Sequence, residues 1–287
     1  ATDDLMQSAL LKREWRIGTR LMHANIVRIF EFHDDAAAPF YSLQYVGATD
    51  IGVLTGAPLS DSLRPIAMIA DALRYAHGKG VVHHDIKASN ILLDSRGLPY
   101  LADFGVAADS DDPIEISGGG SPVASSPEQL AGGSATAGDD IFALGVLIHE
   151  LATGSPPRNG EINDEVVDGT GSAMPESVRM LLRDMLATNT ARPNAETVAA
   201  RLAAAGYAAG PASAKYVPGE AVDAGAVQSV AAEPIQRRQY QAKADLVASA
   251  TSTEGISPRT LYAGLAGAVL LLLLVVFVLP KFSIEKG

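Results

Sequence analysis

Four polar side chains about a third of the way along the chain combine the residue types that a phosphoryl transfer requires. Asp85, Lys87 and Asn90 lie within one short polar segment, and Asp103 follows them in an Asp-Phe-Gly tripeptide. A carboxylate can accept a proton, an ammonium can neutralise a phosphate, and the side-chain oxygens of Asn90 and Asp103 suit Mg²⁺, which prefers oxygen ligands. Phosphoryl transfer needs these groups because its transition state depends on positioning and charge neutralisation rather than on covalent chemistry by the protein.

The spacing of these residues predicts that they meet at one site. Asn90 stands five residues after Asp85, and Asp103 stands eighteen residues after it. An apolar run and a turn over residues 91–97 separate the two metal-ligand candidates, and a hairpin there brings them together. Each residue alone has an ordinary explanation as a turn residue or a surface lysine, and it is their conjunction that favours the functional interpretation.

The polar segment and the Asp-Phe-Gly tripeptide resemble the catalytic loop and the metal-binding loop of eukaryotic-type protein kinases, among them the bacterial transmembrane serine/threonine kinases. The resemblance implies that Asp85 is the catalytic base and that Lys87 neutralises the γ-phosphate of ATP. It also implies ATP and Mg²⁺ as cofactors, with Asn90 and Asp103 as the metal ligands. It covers roughly the first two-thirds of the chain and implies an α+β, bilobal protein-kinase-like fold with a mostly helical large lobe.

The part of the chain before the catalytic segment resembles the kinase family only in part. Glu14 resembles the glutamate of the family's regulatory helix at the ATP site. The stretch that resembles the adenine-binding hinge consists of Leu43, Gln44, Tyr45 and Val46. No glycine-rich loop and no lysine-bearing strand stand before Glu14, and Lys12 is on the same predicted helix. Gly18 also stands where the family usually has a bulky residue, so these departures predict a truncated small lobe.

Two interpretations stay open for the absent motifs. The chain begins with Ala1 rather than Met, which favours a fragment or processed form of a longer kinase. The alternative is a membrane-tethered pseudokinase that binds partners as a scaffold without transferring phosphate. We favour the first, because a drifting pseudokinase need not keep its whole catalytic set, and we expect little or no activity from these 287 residues alone.

The expected substrates and regulation also follow from the resemblance. Lys87 and the Gly-Ser-Pro turn at Ser121 resemble the serine/threonine class, which implies protein substrates with serine or threonine acceptors; Ser121 matches the family threonine that contacts the catalytic Asp and Lys. His84 replaces the arginine that receives an activation-segment phosphate in the family. We therefore expect activity to depend little on phosphorylation of the candidate serines, which are Ser110, Ser117, Ser121 and Ser125.

Three further residues resemble structural positions of the kinase family. Glu128, in Ser-Pro-Glu, and Arg192 match a pair that pins the end of the activation segment, and we expect that pair to be bidentate. Asp140 matches the aspartate that holds the backbone of the catalytic loop, although a helix N-cap is the simpler explanation.

The composition excludes some classes of partner and site. The formal net charge is −11, without a basic stripe, which argues against nucleic acid as the main partner. The chain has no cysteine, which excludes disulfides and Cys-ligated zinc and fits a reducing cytosol.

Hydrophobic periodicity predicts the elements that position the site. Helices are predicted over residues 4–23, 63–76, 139–153, 178–186 and 195–204, strands over 26–32 and 40–46, and a loop over 52–59. The helix over 139–153 is apolar on nearly every side, so we expect it at the centre of the domain. The predicted domains are a kinase-like domain over 1–206 (partial small lobe 1–46, large lobe 47–206), a flexible juxtamembrane linker over 207–258, a transmembrane helix over 261–279 and a short tail over 280–287.

The late apolar run predicts a single membrane span. Residues 261–279 carry no charge and rise about 28 Å as a helix, close to the thickness of the bilayer core. Since ATP and Mg²⁺ are cytosolic, we expect a protein of the plasma (inner) membrane with its kinase-like part in the cytoplasm. Small residues at Ala263 and Gly267 allow two spans to pair, so a homodimer is a further expectation.

Overall fold

The computed structural model describes residues 2–34, 39–111, 123–157 and 174–208. Its helices are α1 Thr2–Arg20, α2 Leu59–Gly78, α3 Pro127–Leu130, α4 Ala137–Thr153, α5 Glu176–Met185 and α6 Ala195–Ala204. Its strands are β1 Ile29–His33, β2 Phe40–Leu43, β3 Thr49–Asp50, β4 Val81–Val82, β5 Ile91–Leu93, β6 Pro99–Leu101 and β7 Ala108–Asp109. Short 3₁₀ turns span Ile51–Leu54, Ala88–Asn90 and Asn189–Ala191.

The strand pairs in the described residues run antiparallel. β1 and β2 form a hairpin, β5 lies between β3 and β6, and β4 pairs with β7. Ile26, ahead of β1, forms a parallel bridge with Leu101 at the end of β6. This mixture of helices and short strands agrees with the predicted α+β class.

Helix α4 lies at the centre of the core, as its apolar sequence predicts. Its buried residues include Ile141, Leu144, Leu147 and Ile148. Near its start, the Asp139 carboxylate accepts hydrogen bonds from the backbone N–H and the hydroxyl of Thr136. The helix ends at Thr153 and is capped by Gly154, whose φ of 77° is left-handed and therefore suits a residue without a Cβ.

Helices α2 and α1 pack against different layers. α2 contacts α4, α6 and β6, and it buries a helical face that includes Leu63, Ile66 and Leu73. α1 packs against β1 instead and buries Ile17 and Leu21. The helical part of the domain therefore packs around α2, whereas the first strands pack against α1.

Gly18 allows α1 to lie close to β1. A Cβ at this position would collide with the side chain of Ile29. A larger residue at this position would require the Ile29 side chain to move.

The predicted elements are present, and several of their boundaries are corrected. α1 ends at Arg20 rather than at residue 23, and α2 extends beyond 63–76 at both ends. The strand predicted over 26–32 begins only at Ile29, because Ile26 pairs with β6 rather than with β2. The loop predicted over 52–59 begins within a 3₁₀ turn.

Several sequence predictions fall on residues that the structure does not describe. These are most of the predicted linker (from residue 209 on), the span over 261–279, the tail over 280–287, and the serines Ser117 and Ser121. Among the residues that are described, no helix has both the length and the apolar character needed to cross a membrane.

Candidate active site

The catalytic segment lies between two strand pairs. It follows β4, which is paired with β7, and it ends in the turn Ala88–Asn90, which precedes β5. The hairpin of β5 and β6 aligns its two ends, because the Ala102 N–H donates a hydrogen bond of 2.9 Å to the Asn90 carbonyl. Asn90 and Asp103 therefore lie on neighbouring segments, which is what the hairpin prediction requires.

Two of the predicted site residues converge on the carboxylate of Asp85. The Lys87 ammonium lies 2.7 Å from Oδ2, and the Asn90 amide nitrogen donates to the same oxygen at 3.0 Å and to the Asp85 carbonyl at 2.8 Å. Asp85 and Asn90 are buried, whereas Lys87 is partly exposed. Because the Asn90 nitrogen is used by Asp85, the amide oxygen of Asn90 is the atom that can ligate a cation.

Asp140, near the start of α4, holds the backbone of the catalytic segment. Its two carboxylate oxygens accept hydrogen bonds from the His83 N–H at 2.8 Å and the His84 N–H at 2.7 Å, and His77 Nε2 lies 2.8 Å from one of them. Burial alone would raise the pKa of Asp140, but the hydrogen bond and charge of His77, with a contribution from His83, outweigh burial and lower that pKa. The structural role that the resemblance implies for Asp140 is thus present in the geometry.

Two residues of the site adopt left-handed backbone conformations, which are uncommon outside glycine. His84 has a φ of 68° and Asp103 a φ of 63°. The Gly105 N–H donates to the Asp103 carboxylate at 3.3 Å, and the buried Phe104 lies against the His83 ring, with 4.7 Å between centroids. Such strain persists only where surrounding contacts impose it, and it concentrates at functional sites.

The structure brings Glu14 to the loop formed by Asp103, Phe104 and Gly105. Its carboxylate is buried and accepts a hydrogen bond of 2.7 Å from the Tyr41 hydroxyl in β2. A Cβ on Gly105 would lie 3.2 Å from Glu14 Oε2, so α1 packs closely on this loop. The preceding residue, Arg13, donates a hydrogen bond of 2.8 Å from Nη2 to the Ala107 carbonyl. One helix therefore contacts both the loop and the residues that follow it.

The predicted hinge residues connect β2 to β3. The Gln44 N–H donates to the Arg28 carbonyl at 2.7 Å, and its side-chain oxygen accepts the Arg28 N–H at 3.3 Å. Leu43 and Tyr45 are exposed, whereas Gln44 and Val46 are partly buried. The stretch therefore presents apolar surface to solvent.

The pair Glu128 and Arg192 is formed, although it is not bidentate as predicted. Arg192 Nη2 lies 2.7 Å from Glu128 Oε2. The other Glu128 oxygen accepts the Asn189 N–H at 3.0 Å, and the guanidinium also donates to the carbonyls of Ala187 and Gly138. Burial alone would raise the pKa of Glu128, but the hydrogen bond from Arg192, backbone donors and the Arg192 charge outweigh burial and lower it to about 2.

Two contributors to the site escaped sequence reasoning. Tyr41 stands in an apolar strand and His77 near the end of a helix, so neither carries a chemical signal of its own. The partner of Tyr41 is 27 residues away along the chain and that of His77 is 63 residues away. Only the packing of distant elements shows that these side chains contact the site.

Residues 2–204 match the family model described as the protein kinase domain, and every predicted site residue lies inside that range. The chain belongs to the protein kinase family. As a family, protein kinases transfer phosphate from ATP with the help of a divalent cation.

Three bacterial relatives of this kinase domain illustrate the match. The DNA damage-responsive serine/threonine-protein kinase RqkA of Deinococcus radiodurans is 34% identical over 166 residues, which are 54% of this chain and 25% of the relative. The serine/threonine-protein kinase PrkC of Bacillus subtilis is 36% identical over 157 residues, 52% of this chain and 24% of the relative. The serine/threonine-protein kinase PkaA of Streptomyces coelicolor is 35% identical over 178 residues, 57% of this chain and 32% of the relative. The chain thus spans a third or less of the length of these relatives.

Two side chains of this kinase domain are of the chemical type that Mg²⁺ prefers. Within the described ranges, no three His, Cys, Asp or Glu side chains are grouped so as to hold a metal ion. Mg²⁺ needs few protein ligands, because it keeps several waters and shares the phosphates of the substrate. The amide oxygen of Asn90 and the carboxylate of Asp103 are of the type that it prefers.

Proposed function

We propose that this chain carries the large-lobe part of a serine/threonine protein kinase, which transfers the γ-phosphate of ATP to serine or threonine hydroxyls of protein substrates. The observation that carries the proposal is the convergence of Lys87 and Asn90 on the buried carboxylate of Asp85. The family match and the three serine/threonine kinase relatives support it.

The side chains of the site divide the work of the transfer. Asp85 orients the acceptor hydroxyl and takes its proton, and Lys87, 2.7 Å away, supplies positive charge for the transferred group. Asn90 and Asp103 would hold Mg²⁺, which would supply positive charge at the phosphates of ATP. The hydrogen bonds to Asp140 fix the backbone that carries Asp85, so the base is positioned before the substrate arrives.

The small lobe of this chain is, in our proposal, completed in the active kinase by a glycine-rich loop and a lysine-bearing strand. Glu14, which faces the metal-binding loop, is the residue that such a lysine would pair with. The hairpin of β1 and β2 exposes Phe30, Phe40 and Leu43, an apolar surface that further strands would cover.

The membrane attachment is likewise a proposal. Residues 261–279 are uncharged and flanked by Arg259 and Lys281, which supports a single span of the inner membrane with the kinase domain in the cytoplasm. The small residues Ala263 and Gly267 support pairing of two spans in a homodimer. Protease protection of tagged ends in membrane vesicles tests the orientation.

The proposed activity is tested in an extended chain, defined as the 287 residues preceded by a glycine-rich loop and a lysine-bearing strand typical of protein kinases. With ATP and Mg²⁺, this chain should phosphorylate serine or threonine in an acceptor protein. Asp85→Asn should lower the rate about a thousandfold, because the general base is lost. The exposed Asp61→Asn is the control and should keep the rate. Transfer that continues undiminished after Asp85→Asn would contradict the proposal.

A pseudokinase scaffold is the second candidate. The extended chain separates the two candidates. If it is folded yet transfers no phosphate with ATP and Mg²⁺, the scaffold role is supported and the kinase role is contradicted.

A further inference from the structure

The C-terminal end of α1 is fastened to the start of the activation segment, the stretch between the metal-binding loop and Glu128. Arg20 Nη1 lies 2.5 Å from Asp109 Oδ2, and Arg20 Nη2 lies 2.8 Å from Asp111 Oδ2. Nη2 also approaches the Lys79 carbonyl, at 3.5 Å. One guanidinium thus connects the end of α1 to the activation segment and to the turn that precedes β4.

The contact with Asp109 is shielded from water. The Asp109 side chain is 3% exposed, against 35% for Arg20 and 72% for Asp111. The second Asp109 oxygen accepts the Asp111 N–H at 3.1 Å. A buried carboxylate is costly without such partners, so the loss of Arg20 would leave Asp109 with an uncompensated charge. Arg20 also lies in the last turn of α1, where a cation is favoured by the helix dipole.

The contacts of Arg20 involve segments that adjoin the residues of the active site. Asp109 belongs to β7 and pairs with Val81 of β4, which leads into the catalytic segment. Arg13, two helical turns before Arg20 on the same face of α1, donates to the Ala107 carbonyl. α1 therefore grips residues 107–111 at two points, with Glu14 between them against Gly105.

The charged side chains around Arg20 do not form a binding site for a phosphorylated residue. Arg20 is already shared by two carboxylates, and a phosphate added beside Asp109 and Asp111 would meet like charge. The catalytic segment carries a histidine, His84, directly before Asp85. The negative charge that holds α1 to the activation segment is therefore supplied by the chain itself.

We propose that Arg20 is a positioning residue, and that Asp109 and Asp111 let it hold α1, and with it Glu14, against the metal-binding loop without phosphorylation of the activation segment. The inference rests on the proposed kinase function for its consequence in turnover. The contact itself is a property of the 287-residue chain and can be measured without activity.

The first test is hydrogen exchange in the 287-residue chain, read in peptides that cover residues 103–111. Arg20→Ala should speed exchange there, and Arg20→Lys should restore part of the protection, because lysine can contact one carboxylate but lacks the planar fork that reaches both. Lys12→Ala is the matched control, since Lys12 is on the same helix in an exposed pair with Asp34. Exchange after Arg20→Ala that equals the Lys12→Ala control would overturn the inference, whether or not the chain is a kinase.

The second test uses the extended chain and measures its catalytic efficiency. Arg20→Ala should lower kcat/KM about tenfold, a coupling of ordinary size between two sites, with partial rescue by Arg20→Lys. Full removal of phosphate by a phosphatase, checked by mass spectrometry, should leave turnover unchanged. Loss of turnover on dephosphorylation, regained on rephosphorylation, would overturn the inference. An extended chain without any turnover would defeat the proposed function and leave the hydrogen-exchange result to decide this one.

Discussion

The two hairpins beside the site differ in how much of their surface is covered. In the β5–β6 hairpin, Ile91 and Leu101 are fully buried, and β3 adds a third strand. In the β1–β2 hairpin, Phe30 and Phe40 are 45% and 49% exposed. A hairpin of two strands alone is marginally stable in water, and exposed apolar patches mark surfaces that other elements cover. The large-lobe residues of the site therefore lie on a hairpin whose apolar side chains are buried, whereas the small-lobe residues lie beside a hairpin whose apolar side chains are exposed to solvent.

The polar contacts show the same difference. In the large lobe, Asp85 and Asp140 are each tied by hydrogen bonds from several residues of the same core. In the small lobe, Glu14 is tied to Tyr41, which belongs to the exposed hairpin. The geometry around Asp85 should therefore tolerate changes in the β1–β2 hairpin, while that around Glu14 should not.

The largest effect on stability is expected from Asp140→Ala. The change leaves the N–H groups of the buried His83 and the partly buried His84 without their acceptor, and it should lower the free energy of unfolding by about 4 kcal/mol. Urea denaturation of the 287-residue chain measures it. Asp184→Ala, which removes an exposed pair with Arg201, is the control and should cost less than about 1 kcal/mol. Equal losses in the two variants would show that the catalytic segment does not depend on its buried anchor.

A matched pair of substitutions tests the hairpin comparison directly. Ile91→Ala should lower the free energy of unfolding by about 3 kcal/mol, because it opens a cavity beneath β5. Phe30→Ala, on the exposed hairpin, should change it by less than about 0.5 kcal/mol. Urea midpoints of the two variants give the comparison. In the extended chain, Phe30→Ala should lower the free energy of unfolding by more than it does in the 287-residue chain, because added strands would cover that surface. An equal effect in the two chains would argue against the proposal that such strands complete the small lobe.

The smallest expected effect is the pH dependence of the stability that the Glu128–Arg192 pair contributes. The pKa of Glu128 is lowered from 4.5 to about 2, so its contribution to stability is present above pH 4.5 and is lost as the pH falls towards 2. The difference in urea midpoint between the unmodified chain and Glu128→Gln should therefore be larger at about pH 7 than at about pH 3. If the difference in urea midpoint were the same at both pH values, the pair with Arg192 would not be what lowers the pKa of Glu128.

Local spacing explains how much of the site could be predicted from the sequence. Asp85, Lys87 and Asn90 are so close along the chain that one loop and one short turn determine their geometry. The position of Asp103 followed from a hairpin whose apolar residues and turn are equally local. The burial of α4 could be predicted because its apolar residues surround the helix.

Contacts between distant elements could not be predicted in the same way. Tyr41 reaches Glu14 only because α1 packs on the first hairpin, and the sequence shows a tyrosine in an apolar strand. The bidentate geometry expected for Arg192 was wrong because two backbone carbonyls compete for its guanidinium, that of Ala187 and that of Gly138 in α4. Ile26 pairs with β6 rather than β2, and an apolar run does not show which strand it will meet.

The most direct test of the central claim compares the rate of phosphate transfer by the 287-residue chain with that of the extended chain. Both are assayed at equal concentration with ATP, Mg²⁺ and one acceptor protein. We predict background transfer for the chain alone and a rate at least about a hundredfold higher for the extended chain, because the small lobe supplies a cation and a cover for the phosphates. Transfer by the chain alone at the rate of the extended chain would contradict the proposal that turnover needs a glycine-rich loop and a strand lysine in addition to these 287 residues.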